Sequence, residues 1–216
     1  MNIFYKKHAA HGKWEHAIML AVLLLATGFA LAAGHTLHNI QMQQEIASRI
    51  IRFHVRANSD SSTDQALKLK VRDGVGAMME GRLKAARDRD DSSRIIQQSL
   101  TDIEECAEEI LRENGSSDMV SASLTDAWFP VRTYGKSVFP QGTYEALQIT
   151  IGEGKGHNWW CVMYPNLCFN GSLYQIDEGE NAKKLRQVLT PDEYKTVMEG
   201  RNYRVEFRIL RFLNRD

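Results

Sequence analysis

The sequence predicts a single α+β extracytoplasmic domain, with two long N-terminal helices and a mostly antiparallel sheet, behind an apolar leader. Three observations carry that expectation. An uncharged run from Ala17 to Ala33 follows a basic start. Two stretches between residues 62 and 113 place apolar side chains three and four apart. Beyond Met119, short runs rich in aromatic and β-branched residues alternate with turn signals.

At 216 residues the chain is long enough for one domain with a real core. Its formal net charge is zero, so bulk electrostatics imply no polyanionic partner. Without the first 33 residues, 24 basic and 26 acidic residues remain, which argues further against nucleic acid. Lys6, Lys7 and Lys13 make residues 1–16 a basic cytoplasmic n-region, and residues 17–33 a signal-anchor or signal peptide. The apolar run of 17 residues is short for a spanning helix and slightly long for a cleavable signal. Ala30-Leu31-Ala32 offers a small-x-small cleavage pattern, so anchoring and cleavage both stay open. A buried core helix is a third reading, disfavoured by the flanking histidines and by Gly28. In the first two cases the lysines stay inside and the remainder lies beyond the membrane. Residues 17–33 then provide membrane association if uncleaved.

Residues 34–49 read as a membrane-proximal stalk or short helix, and residues 50–216 as the domain. At its start Ile51, Phe53 and Val55 alternate with Arg52, His54 and Arg56, which predicts a strand with one wet face. Asn58-Ser59-Asp60-Ser61-Ser62 favours a turn. Ser62 or Thr63 is a candidate helix cap, with Gln65 placed as in a capping box. A long helix then runs from Asp64, carrying Leu67, Val71, Val75 and Met79 on its stripe. A second is expected from Ser92 or Ser93 to about Glu113, ended by Asn114-Gly115. Asp102, Glu104, Glu105, Glu108 and Glu109 read as its wet face, and Cys106 as a small packing residue. Later strands are expected around 119–124, 144–151, 159–163 and 203–213, with short helices over 181–189 and from Pro191.

Residues 134–169 hold the most distinctive chemistry. Gly152, Gly154 and Gly156 recur at every second place, which suits a sharp bend or a close neighbour. They separate 144–151 from 159–163, two runs expected to pair as a hairpin. Trp159 and Trp160 should point to opposite faces of a strand. Cys161 and Cys168 are close enough for a disulfide around Tyr164-Pro165-Asn166, or are two buried small hydrophobes. No nucleophile elbow, metalloprotease helix, phosphate loop or dinucleotide fingerprint appears. No catalytic, cofactor-binding or metal-ligating residue is therefore assigned. The alternative function is an extracytoplasmic hydrolase acting on cell-wall material or peptides, with His157, Cys161, Glu145 or Glu153 in its site. Rigidity and exposed aromatic chemistry suit recognition better.

Several segments carry a resemblance: Val55-x-Ala57-Asn58-Ser59-Asp60-Ser61, Asp64-Gln65-x-Leu67-Lys68-x-Lys70-Val71-Arg72-Asp73, and Gly142-x-Tyr144-x-Ala146-Leu147. Ile151-Gly152-Glu153-Gly154-x-Gly156-x-Asn158-Trp159-Trp160-Cys161-Val162 and Pro165-x-Leu167-Cys168-Phe169 carry it further. In these the chain resembles the stage II sporulation protein R family. The resemblance implies a signal made in the forespore and exported into the space between two cells. There it would stay anchored in the forespore membrane or be released by signal cleavage. It also implies a partner, a membrane-embedded aspartic protease of the mother cell that processes pro-sigma-E and is activated by the signal. The family supplies no catalytic residues to carry over. Asn58, Asp60, Glu153, Asn158, Trp159 and Trp160 are accordingly candidates for partner contact or for determining the fold.

Overall fold

The structure, a computed structural model, describes residues 3–167 and 179–200. Cys168 and the strand expected at 203–213 lie outside the described residues. The chain divides into two compact units, Met1–Met42 and Gln43–Asp216. In the first, the helix α1 (Ile3–Arg49) runs unbroken through the apolar stretch. It is long and apolar enough to cross a membrane, and Leu23, Leu24, Leu25 and Phe29 are exposed along it. Anchors and signal sequences both meet that description.

The second unit takes in the last turns of α1, where Ile46 and Ala47 are buried. After α1 come β1 (Ile51–Arg56), α2 (Ser62–Leu83), α3 (Arg89–Gln98) and α4 (Leu100–Glu113). Then follow β2 (Val120–Phe129), β3 (Arg132–Tyr134), β4 (Ser137–Phe139), β5 (Gly142–Ile151) and β6 (Asn158–Tyr164). Two short helices, α5 (Glu180–Val188) and α6 (Pro191–Glu199), close the described chain.

Four strands form one sheet in the order β2-β5-β1-β6, and β3 pairs with β4 separately. The sheet is mixed: β1 runs parallel to β5, while β1–β6 and β2–β5 are antiparallel. This corrects the expected hairpin. Residues 144–151 and 159–163 do not pair, because β1 lies between them; Val55 pairs with Ile149 on one side and Trp159 on the other. The long antiparallel partner of β5 is β2, in register from Val120–Ile151 to Phe129–Gly142.

Alternation along β1 sends Ile51, Phe53 and Val55 to the helix side. There they meet Leu67, Val71, Val75 and Met79 of α2, and Ile103, Ala107 and Leu111 of α4, all buried. Each such side chain contributes roughly 1.5–3 kcal/mol relative to remaining exposed. The expected second long helix is two helices, broken at Ser99. Its hydroxyl donates to Ile95 O at 2.8 Å and accepts from Arg82 Nη1 at 2.8 Å, drawing that turn away from helical continuation. The cap of α2 is Ser61, not Ser62 or Thr63; its Oγ accepts from Asp64 N at 3.1 Å. The acidic face of α4 is not wholly solvated either. Glu108 Oε1 accepts from Val120 N at 3.2 Å and Glu104 Oε1 from Ala122 N at 2.8 Å, closing part of the β2 edge.

Pro191 opens α6 behind a full capping box between Thr190 and Glu193. Glu193 is 1% exposed and also receives Arg49 Nε at 2.7 Å, which ties the end of α1 to α6 within this unit.

Candidate functional site: a locked loop pair and a cationic sheet face

Two turns meet at the end of β1 where the chain leaves the sheet. The turn after β1 carries Asn58 and Asp60; the turn after β5 carries Glu153 and leads to Asn158. Lys155 N donates to Asn58 O at 3.0 Å, and Gly156 N to Ala57 O at 2.9 Å. Asn58 Oδ1 accepts Glu153 N at 2.9 Å, and Asp60 Oδ1 accepts His157 N at 2.6 Å. The His157 ring also pairs with Asp60. These bonds from the ring and backbone of His157 hold the Asp60 carboxyl below the usual carboxylate range. Lys68 Nζ reaches across from α2 to His157 O at 3.0 Å, and Gln65 Nε2 reaches Ser59 O at 2.9 Å.

The glycine spacing now has a cause. A Cβ on Gly156 would lie 2.2 Å from Ser59 O, which is backbone and cannot swing aside. Gly152 has φ +55°, and a Cβ there would come 2.4 Å from Asn58 Oδ1. The two turns therefore interlock at van der Waals contact.

Trp159 and Trp160 leave this lock on opposite faces of β6. Trp159 lies on the helix side, edge-on to Phe53 at 5.5 Å with Arg72 over its ring at 5.1 Å. Trp160 lies on the other side, stacked on His54 at 5.0 Å and edge-on to Phe129 at 4.8 Å. Both indoles are half-buried. Asn158 Oδ1 accepts Arg56 Nε at 3.1 Å and approaches His54 Nδ1 at 3.4 Å.

The wet face expected for β1 holds at Arg56, which is exposed, and is corrected at its other two positions. Arg52 is 0% exposed and His54 5%, because the β3–β4 hairpin and its flanks cover them. The Arg52 guanidinium lies among the rings of Phe129, Tyr144, Phe139 and Tyr134, at 4.6, 5.2, 5.4 and 5.6 Å. Its Nη2 donates to Tyr134 Oη at 3.2 Å, while Nε and Nη1 find no partner among the described residues. Burial pushes the Arg52 guanidinium and the His54 imidazole down, and it pushes the Tyr144 and Tyr134 hydroxyls up. Sequence reading missed this cluster. The available signal was an aromatic residue at each of positions 129, 134, 139 and 144.

The residues proposed for a hydrolase are not brought together. Glu145 near the start of β5 is held by Arg89 and Ser93. Glu153, past the strand's other end, pairs with Lys155. Cys161 is buried and disulfide-bonded, so it offers no thiolate, and His157 faces solvent. The disulfide partner expected for Cys161 is Cys168, outside the described residues. Cys106 is a free thiol whose pKa burial raises.

The described residues form an α+β domain with a locked loop pair, behind a helix long and apolar enough to cross a membrane. The family pattern described as "Stage II sporulation protein R" matches residues 47–173, and the chain belongs to that family. It is similar to stage II sporulation protein R of Bacillus subtilis (strain 168), with 35% identity over 174 residues, 77% of this chain and 78% of that protein. It is a sporulation signalling protein by that membership. No solved structure matches.

Proposed function

We propose that this chain is exported from the forespore and activates the mother-cell membrane aspartic protease that processes pro-sigma-E, by binding it directly. The observation that supports this reading most is the interlocked turn pair. It places the residues of the resemblance, Asn58, Asp60, Glu153 and Asn158, in one rigid, partly exposed rim next to Trp160. A rigid rim loses little conformational entropy on docking. Binding then favours the active form of the protease by preferential contact with that form. The apolar leader supports delivery to the far side of the membrane, either anchored or released.

Co-reconstitution of the full chain with the protease in liposomes tests this. Cleavage of the pro-sequence should appear only when the chain is present, and the two proteins should co-purify. Cleavage at the same rate without the chain, or activation with no detectable association, overturns direct binding.

A further inference from the structure

Among the described residues, the sheet face opposite α2 and α4 concentrates positive charge without an acidic partner. Seven described arginines hold a carboxylate: Arg49, Arg72, Arg82, Arg87, Arg89, Arg94 and Arg112. The other four do not, and three of them, Arg52, Arg56 and Arg132, gather on this one face. The fourth, Arg186, lies over the Tyr194 ring. Arg132 stacks over Trp160 at 5.3 Å. Among the described residues, buried N–H groups here also lack partners: Nε and Nη1 of Arg52 and Nε of Arg132. Burial above all, and Arg132 to a lesser degree, lowers the pKa of Arg52, so the two guanidinium groups repel one another across a poorly solvated interior.

Holding like charges together without a counter-charge costs stability, and such sites are drawn to function. We propose that this face receives an extended, acidic segment of the partner protein, its carboxylates meeting Arg56 and Arg132 beside Trp160. This deepens, and rests on, the reading that the chain works by direct binding. Arg56 is exposed and gives its Nε to Asn158 Oδ1, and Arg132 is half-buried with its Nε inside, so the terminal Nη groups of the two are what a carboxylate would meet. Arg52, beneath them, is a positioning residue whose buried charge raises the local positive potential. Alongside, Ser121, Ser123 and Thr125 of β2 face out, with Gln148 and Thr150 half-exposed next to them. These neutral hydrogen-bonding groups suit a polypeptide backbone. An anionic membrane suits the face less well: the outward positions of β2 on it, Ser121, Ser123 and Thr125, are polar and offer nothing apolar to enter a bilayer.

The test is fluorescence anisotropy of labelled hexaglutamate with the full chain in neutral detergent micelles. Wild type should bind hexaglutamate well above hexaglutamine, with affinity falling as salt rises. The doubly substituted Arg56→Gln, Arg132→Gln chain should bind at least tenfold more weakly, while Arg112→Gln, on α4, should match wild type. Equal binding by the double variant, or by hexaglutamine, overturns the proposal. So does tighter binding of a labelled short-chain phosphatidylglycerol than of hexaglutamate, which would assign the face to lipid. Co-purification with the reconstituted protease separates the two ideas. If wild type and double variant associate equally, this face is wrong and direct binding stands. If wild type does not associate at all, direct binding fails, and the hexaglutamate comparison still decides the chemistry of the face.

Discussion

The side-chain oxygen of Asn58 accepts the backbone N–H of Glu153 at 2.9 Å, fastening the turn after β5 onto the turn after β1. Both strands are central, so this one bond helps hold the parallel β1–β5 register at its open end. Asn58→Ala removes the acceptor and leaves that N–H to water or to nothing. A loss of about 1–2 kcal/mol in urea unfolding is expected. Gly156→Ala should cost more, roughly 2–4 kcal/mol, because the new methyl meets the Ser59 backbone at 2.2 Å. Equal, small losses from both would mean that the turns are not locked as described.

Arg52 separates stability from function. A guanidinium with two unpartnered N–H groups and no carboxylate is an expensive occupant of a buried site. Arg52→Met keeps most of the volume and removes the orphaned donors. It should fall within about 1 kcal/mol of wild type, or above it. Arg52→Ala leaves a cavity among four rings and should cost about 3 kcal/mol or more. On the proposed docking, pro-sigma-E cleavage in the reconstituted system should fall in both variants.

His54 makes stability depend on pH. Burial, then the neighbouring Arg56 and Arg52, depress its folded pKa, partly offset by hydrogen bonds to Gln148 and Asn158. Below the unfolded value of about 6.5 the unfolded chain takes up a proton that the folded chain resists, so stability falls as pH drops. The loss stops once pH passes below the depressed folded pKa. Thermal unfolding from pH 7.5 to 5 should show this slope in wild type, and His54→Gln should flatten it. An unchanged slope in the variant would place the titration elsewhere.

Glu104 and Glu108 cover two N–H groups on the outer edge of β2. Replacing both by alanine should destabilise by roughly 1–3 kcal/mol and open the edge to another strand. Sedimentation velocity in detergent should then show concentration-dependent self-association that wild type lacks. A monomeric double variant would mean that the edge is guarded by other means.

Cys161 is disulfide-bonded, and its expected partner is Cys168. Non-reducing peptide mapping should recover one linked peptide containing both, with Cys106 alkylated. The short loop is worth about 2–3 kcal/mol by chain-entropy reasoning, so reduction should lower the unfolding midpoint. A linked peptide containing Cys106 would contradict that pairing.

Much of the fold was legible because local chemistry has a period. The stripe Leu67, Val71, Val75, Met79 identified α2, and alternation around Phe53 identified β1. Pro191 marked the start of α6. The interlocked turns were visible only in part: three glycines announced a close approach, but not that Ser59 would be what approaches. The glutamates of α4 looked solvated because a helical wheel cannot show a strand edge arriving beside them.

The sequence by itself determined the apolar leader, the helical stripes, the strands of the central sheet and the family, since each depends on residues near in the chain or on a motif read directly. Only the tertiary structure decided that β1 runs between β5 and β6, and that Arg52 and His54 on its arginine-bearing face are buried while Arg56 is wet. The reason is physical. A period of two states which side chains share a face, but not what will cover that face. Here the cover is a hairpin of two three-residue strands, too short to carry any period, whose aromatic side chains reach Arg52 from far along the chain.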